Sequence, residues 1–172
     1  MRCSLVLAGL AISTIGCGTD LLQTSQSAQM IVNGVNASEE SVGFLEKRPG
    51  FPRAMWRGPT GVMIDLGTLR GGSRSSAVAI DDAGSIAGQS ETADGAFHAV
   101  RWRHGIIEDL GTLPGGDFSV ASAIDGDVVL GESTARDGML HAFRWRDGTM
   151  ADLGRFRAPG SGAAPPPPGG RR

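Results

Sequence analysis

The tripeptide Asp-Leu-Gly occurs at Asp65-Leu66-Gly67, Asp109-Leu110-Gly111 and Asp152-Leu153-Gly154, and each copy follows a tryptophan, Trp56, Trp102 or Trp145. The aspartates lie 44 and 43 residues apart and the tryptophans 46 and 43. A period of that size marks a repeat architecture, in which one supersecondary unit recurs and buries its faces against its neighbours.

The last two units align closely. Ala77-Val78-Ala79-Ile80-Asp81 matches Ala121-Ser122-Ala123-Ile124-Asp125, Gly88 matches Gly131, and Ser90 matches Ser133. His98-Ala99-Val100-Arg101-Trp102-Arg103 matches His141-Ala142-Phe143-Arg144-Trp145-Arg146. A worn copy lies upstream. There Val35-Asn36 stands for Ile80-Asp81, Gly43 for Gly88, and Arg53-Ala54-Met55-Trp56 for the His-Ala-Val-Arg-Trp stretch, one residue shorter. The body is therefore read as a three-unit β-repeat domain over residues 30–157.

Within a unit the pattern has period two, the strand signal. His141, Phe143 and Trp145 share one face and Ala142, Arg144 and Arg146 the other, with the Phe-Trp face expected inward. Asp82-Ala83-Gly84, Asp125-Gly126, Arg103-His104-Gly105 and Arg146-Asp147-Gly148 read as turns between short strands. The expected fold is all-β, with about four antiparallel strands per unit, blade-like as in a propeller. A β-trefoil, also built from three four-stranded units, is the rival. After the first two Asp-Leu-Gly copies the chain continues Thr-Leu-x-Gly-Gly into the next unit. After Gly154 it runs Arg155-Phe156-Arg157 into a Pro/Gly-rich segment, residues 158–172, read as disordered.

The string His141 to Gly154, with the Ala-x-Ala-Ile-Asp, Gly-x-Ser and Leu-Gly-Thr-Leu-x-Gly-Gly patterns, resembles the HAF repeat, a bacterial extracellular repeat family. The likeness spans about residues 30–156 and is weaker in the first unit, where Arg53 replaces the histidine. It implies an exported, propeller-like repeat protein and brings no assigned activity.

The N-terminus suggests an address. Met1-Arg2 precedes an apolar run from Leu5 to Ile15, too short to span a bilayer but suited to a secretory leader. Ile15-Gly16-Cys17-Gly18 resembles a bacterial lipoprotein signal, with Cys17 as the lipidated residue and Thr14 departing from the usual leucine. Residues 1–16 are thus read as a signal peptide and 17–29 as a polar tether. The expected location is the bacterial cell envelope, with an ordinary secreted protein as the alternative. The two cysteines, Cys3 and Cys17, both precede the body, so no disulfide or cysteine metal site is expected there.

Sixteen Lys+Arg against 18 Asp+Glu, a net charge of −2, offers nothing to a nucleic-acid partner. Residues that recur at one place in every unit are most simply structural. That rule covers Trp56, Trp102 and Trp145 as core anchors, and His98 and His141 as hydrogen-bonded partners. It also covers Asp65, Asp109 and Asp152 as acceptors of turn N–H groups. Asp81-Asp82 and Asp125-Gly126-Asp127 lack the ligand run of a calcium loop and read as hairpin turns. The nonrecurrent candidates are His104, Asp117, Phe118 and Glu132, and no pair among them has acid–base spacing.

No metal, cofactor or catalytic residue is expected. The functional expectation is a non-enzymatic surface repeat module with a protein or glycan partner, anchored by lipid and able to oligomerise to complete its array. The alternatives are a fragment of a propeller-type, glycan-acting hydrolase or lyase, and a truncated product.

Overall fold

The computed structural model describes residues 29–46 and 48–155. They form twelve strands in three four-stranded antiparallel sheets. The first sheet holds β1 (Ile31–Val35), β2 (Ser41–Glu46), β3 (Pro52–Arg57) and β4 (Met63–Asp65). The second holds β5 (Ser75–Ile80), β6 (Ile86–Glu91), β7 (Phe97–Arg103) and β8 (Ile106–Gly111). The third holds β9 (Ser119–Asp125), β10 (Val128–Thr134), β11 (Leu140–Arg146) and β12 (Thr149–Gly154). Each sheet is a simple meander made from one repeat, and the sheets do not close into a barrel. Repeated meander blades are therefore the architecture, and the trefoil alternative, whose strands would close a shared barrel, is set aside.

Local chemistry explains the meander. The β7–β8 and β11–β12 turns place His104-Gly105 and Asp147-Gly148 at positive φ, 51° and 77° in the first pair and 51° and 76° in the second. That is the two-residue turn whose twist matches antiparallel strands. The glycine at the middle of the second strand has a different purpose. A Cβ on Gly43, Gly88 or Gly131 would lie 1.8, 2.1 or 2.1 Å from a carbonyl oxygen of the adjoining first strand. All three sit beside the register shift between the first two strands, where that backbone presses inward.

The second sheet sits between the other two, its faces packed on both. Every sheet has an upstream and a downstream face. Val100 and Trp102 on the upstream face of the second sheet pack against Val42, Ala54 and Trp56 of the first. Phe143 and Trp145 of the third sheet likewise meet Ala87, Ala99 and Leu110 of the second. In the third strands of the last two sheets the large side chains Val100, Trp102, Phe143 and Trp145 face upstream, and Ala99 and Ala142 face downstream. The alternation in His-Ala-Phe-Arg-Trp thus encodes the stacking of unit on unit as well as a strand. The Phe-Trp face is buried as expected, Phe143 fully and Trp145 nearly so. Burying side chains of this size contributes about 1.5–3 kcal/mol each.

Strand pairing corrects one alignment. Gly43, Gly88 and Gly131 pair with Met55, Val100 and Phe143, which makes Trp56 the counterpart of Arg101 and Arg144. Arg57, opposite Ser41, takes the place of Trp102 and Trp145. The stretch in the first unit is therefore not one residue short. Its tryptophan lies on the opposite face, packed downstream onto the second sheet, while Trp102 and Trp145 point upstream.

Candidate functional site

The repeated polar residues assemble into one motif, used three times. In the second sheet His98 Nδ1 lies 2.9 and 3.0 Å from the Asp109 carboxylate oxygens, and Gly111 N–H donates to Asp109 Oδ1 at 2.9 Å. In the third, His141 Nδ1 lies 2.9 Å from both oxygens of Asp152, and Gly154 N–H donates to Oδ1 at 2.7 Å. In the first, Arg53 donates from Nε and Nη2 to Asp65 Oδ1 at 3.3 and 3.2 Å, and Gly67 N–H joins at 3.0 Å. The three glycines have φ of 82°, 72° and 84°, a left-handed conformation that a side chain would strain. The carboxylate caps the turn that leads each sheet toward its successor.

His141 carries a second carboxylate, Asp137, 3.3 Å from Nε2, and Arg155 donates to Asp137 at 2.6 Å. Hydrogen bonding to Asp152, reinforced by Asp137, raises the His141 pKa above its ordinary value. Arg155 first, then the Met139 amide and His141, hold Asp137 at about 2. The Gly154 amide and His141 lower Asp152. A carboxylate on each ring nitrogen favours the protonated imidazole, as in an ion pair.

A second set of polar contacts joins sheet to sheet. Ser75 Oγ accepts from Ala54 N–H at 2.9 Å and donates to Gly67 C=O at 2.7 Å. Ser119 does the same for Ala99 N–H and Gly111 C=O, at 2.7 and 2.6 Å. Ser90 and Ser133 accept from Leu69 and Leu113 N–H, both at 2.9 Å. They pin the Gly-Thr-Leu-x-Gly-Gly linker, whose leucines enter the two junction cores. All four serines are buried and bonded, as buried hydroxyls must be. Arg101 adds a contact between the last two sheets. Its guanidinium lies 4.7 Å from the centre of the Trp145 ring and 3.4 Å from Asp127.

The nonrecurrent candidates fall into this scheme. His104 is a turn residue. The Asp117 and Phe118 N–H groups donate to the Thr134 hydroxyl oxygen at 2.9 and 3.0 Å. The same place in the preceding junction is held by Ser73, Arg74 and Glu91. There Arg74, with Ser73, keeps Glu91 at about 2. Glu132 is an exposed residue of β10. The four therefore do not converge.

One open depression, ≈ 520 Å³, lies where the ends of β1, β5 and β9 meet, lined among others by Asn36, Asp81, Asp82 and Asp125. Its polar groups tie the units together. Asp81 Oδ1 accepts from Ala83 and Ser85 N–H at 3.0 and 2.8 Å, the hairpin turn expected there, and Oδ2 accepts from Gly126 N–H at 3.0 Å. Asn36 donates to Asp81 C=O at 3.0 Å, and Asp82 accepts from Ala37 N–H at 2.9 Å. Among the described residues no group of three or more His, Cys, Asp or Glu is placed to hold a metal ion.

The leader, the lipidation candidate Cys17 and the segment 158–172 lie outside the described residues. No family model matches the chain, and no curated protein or solved structure matches it.

Proposed function

We propose that the chain is an exported, non-enzymatic structural or interaction module of the bacterial cell envelope, of the HAF-repeat kind, held at the membrane by lipid on Cys17. The observation that carries this reading is the replacement of histidine by Arg53. Arg53 makes the same contact to Asp65 that His98 and His141 make to Asp109 and Asp152. An arginine preserves an ion pair and a capped turn but cannot exchange protons near neutral pH. The recurrent His-Asp pairs therefore act as clasps.

The test exchanges the residues. His98→Arg and His141→Arg variants should fold and bind their envelope partner as the parent does, and neither parent nor variant should turn over a panel of bacterial glycans. Turnover by the parent that disappears in either variant would refute the reading. Cys17→Ser should release the protein from the membrane fraction; retention of that variant would exclude the lipid anchor.

A further inference from the structure

We propose that the downstream face of the third sheet is a receiving surface for a serine-led repeat unit of the same class, other than the three described. The face continues the two sheet-to-sheet junctions already described. Val42, Ala54, Trp56 and Leu66 form it in the first unit, and Ala87, Ala99, Arg101 and Leu110 in the second. In both units the next sheet covers these residues. The third unit carries Leu130, Ala142, Arg144 and Leu153 at the same places, and here Leu130 is 42 % and Leu153 58 % exposed, against 0 % for Val42 and Ala87.

The polar half of the junction is retained as well. Ala142 pairs with Gly154 across a register shift, as Ala99 pairs with Gly111. In the second unit that geometry presents the Ala99 N–H and Gly111 C=O to the hydroxyl of Ser119. Among the described residues no serine hydroxyl reaches the equivalent groups of Ala142 and Gly154. Arg144 stands where Arg101 stacks on the tryptophan of the following sheet.

A second copy of this chain supplies the wrong complement. Met30, one place before Ile31, stands where Ser75 and Ser119 stand, and Leu45 stands for Ser90 and Ser133. Arg57 replaces the tryptophan and would meet Arg144 as a like charge. Three mismatches at one face disfavour head-to-tail pairing with self. The occupant that fits has serine opening its first strand, serine in its second and tryptophan in its third. This deepens the interaction-module reading and rests on it; the readout is association, independent of the glycan assays above.

The test gives this chain the missing complement. Gly18 to Arg172 contains every strand, and Met30→Ser/Arg57→Trp changes two residues that are not buried. By sedimentation the parent should remain monomeric, and the double variant should associate about tenfold or more tightly, the gain from one buried hydrogen-bonded contact and a lost repulsion. Adding Leu153→Asp should abolish that association. Should Arg57→Trp disturb the first sheet, Met30→Ser alone should give the same effect in smaller measure. Self-association of the parent equal to that of the variant would overturn the proposal, as would association that survives Leu153→Asp. Association seen only after deletion of residues 156–172 would overturn it too, by making the chain's own C-terminal segment the occupant.

Discussion

The Ser119 hydroxyl accepts from the Ala99 N–H at 2.7 Å, twenty residues earlier, and donates to Gly111 C=O. One buried side chain thus satisfies two backbone groups of the preceding sheet, left unpaired where its strands shift register. Ser75 repeats the arrangement with Ala54 and Gly67. Sheets stacked this way need no disulfide, because each junction combines an apolar core with a polar lock that fixes its register.

Removing that lock should cost more than its size suggests. Ser119→Ala leaves a buried donor and an acceptor without partners, each worth about 1–3 kcal/mol. Urea denaturation should show a loss in that range or above it. Ser122→Ala, on an exposed position of the same strand, should change stability by less than about 0.5 kcal/mol. Equal effects at the two serines would argue against the lock.

The His141 clasp should respond to pH in both directions. The His141 pKa is raised, so its contribution to stability is complete below the ordinary value of 6.5 and lost as pH rises through the folded value. Asp137 is lowered to about 2, so its contribution is present above the ordinary 3.8 and lost as pH falls through that lower value. The clasp should be tightest between these limits. Proton NMR of the His141 ring should place its midpoint above 6.5; a midpoint at or below that value would contradict the geometry.

Gly131→Ala should destabilise the third sheet although alanine is ordinarily tolerated in strands. Its Cβ would lie 2.1 Å from Val120 C=O and 2.7 Å from Phe143 Cζ. Overpacking of this kind costs about 1–3 kcal/mol. Thermal melts of Gly131→Ala and Gly88→Ala should both show the loss, since Gly88 meets Ser76 C=O at the same distance.

Trp102 offers a contrast between ring and donor. Its Nε1 is buried without a partner among the described residues. Trp102→Phe keeps much of the packing and removes the unpaired N–H, and should cost under about 1.5 kcal/mol. Trp102→Ala should cost about 3–5 kcal/mol. A phenylalanine variant as unstable as the alanine variant would mean that the indole nitrogen has a partner after all.

Strand number and turn position were legible because they depend on local chemistry. Alternation in His141–Arg146 gave β11, the Asp147-Gly148 pair gave the turn that follows it, and His104-Gly105 gave the matching turn after β7. The clasp was legible in outline, since histidine and aspartate recur at matching places in two units. Trp56 was misaligned because matching tryptophan to tryptophan ignores register, and a one-place slip moves a side chain to the other face of its sheet. Ser75 and Ser119 recur too, but their hydrogen bonds cross from sheet to sheet and leave no periodic trace. Only the stacked sheets show what they hold.

The sheet junctions are locked by serine in two places, and the third face is open among the described residues. Amide hydrogen exchange at Ala54, Ala99 and Ala142 measures this directly, with one amide reporting each unit. In the isolated chain Ala54 and Ala99 should be protected by Ser75 and Ser119, while the Ala142 amide should exchange far faster than either. An Ala142 amide as protected as the other two would contradict an open third face.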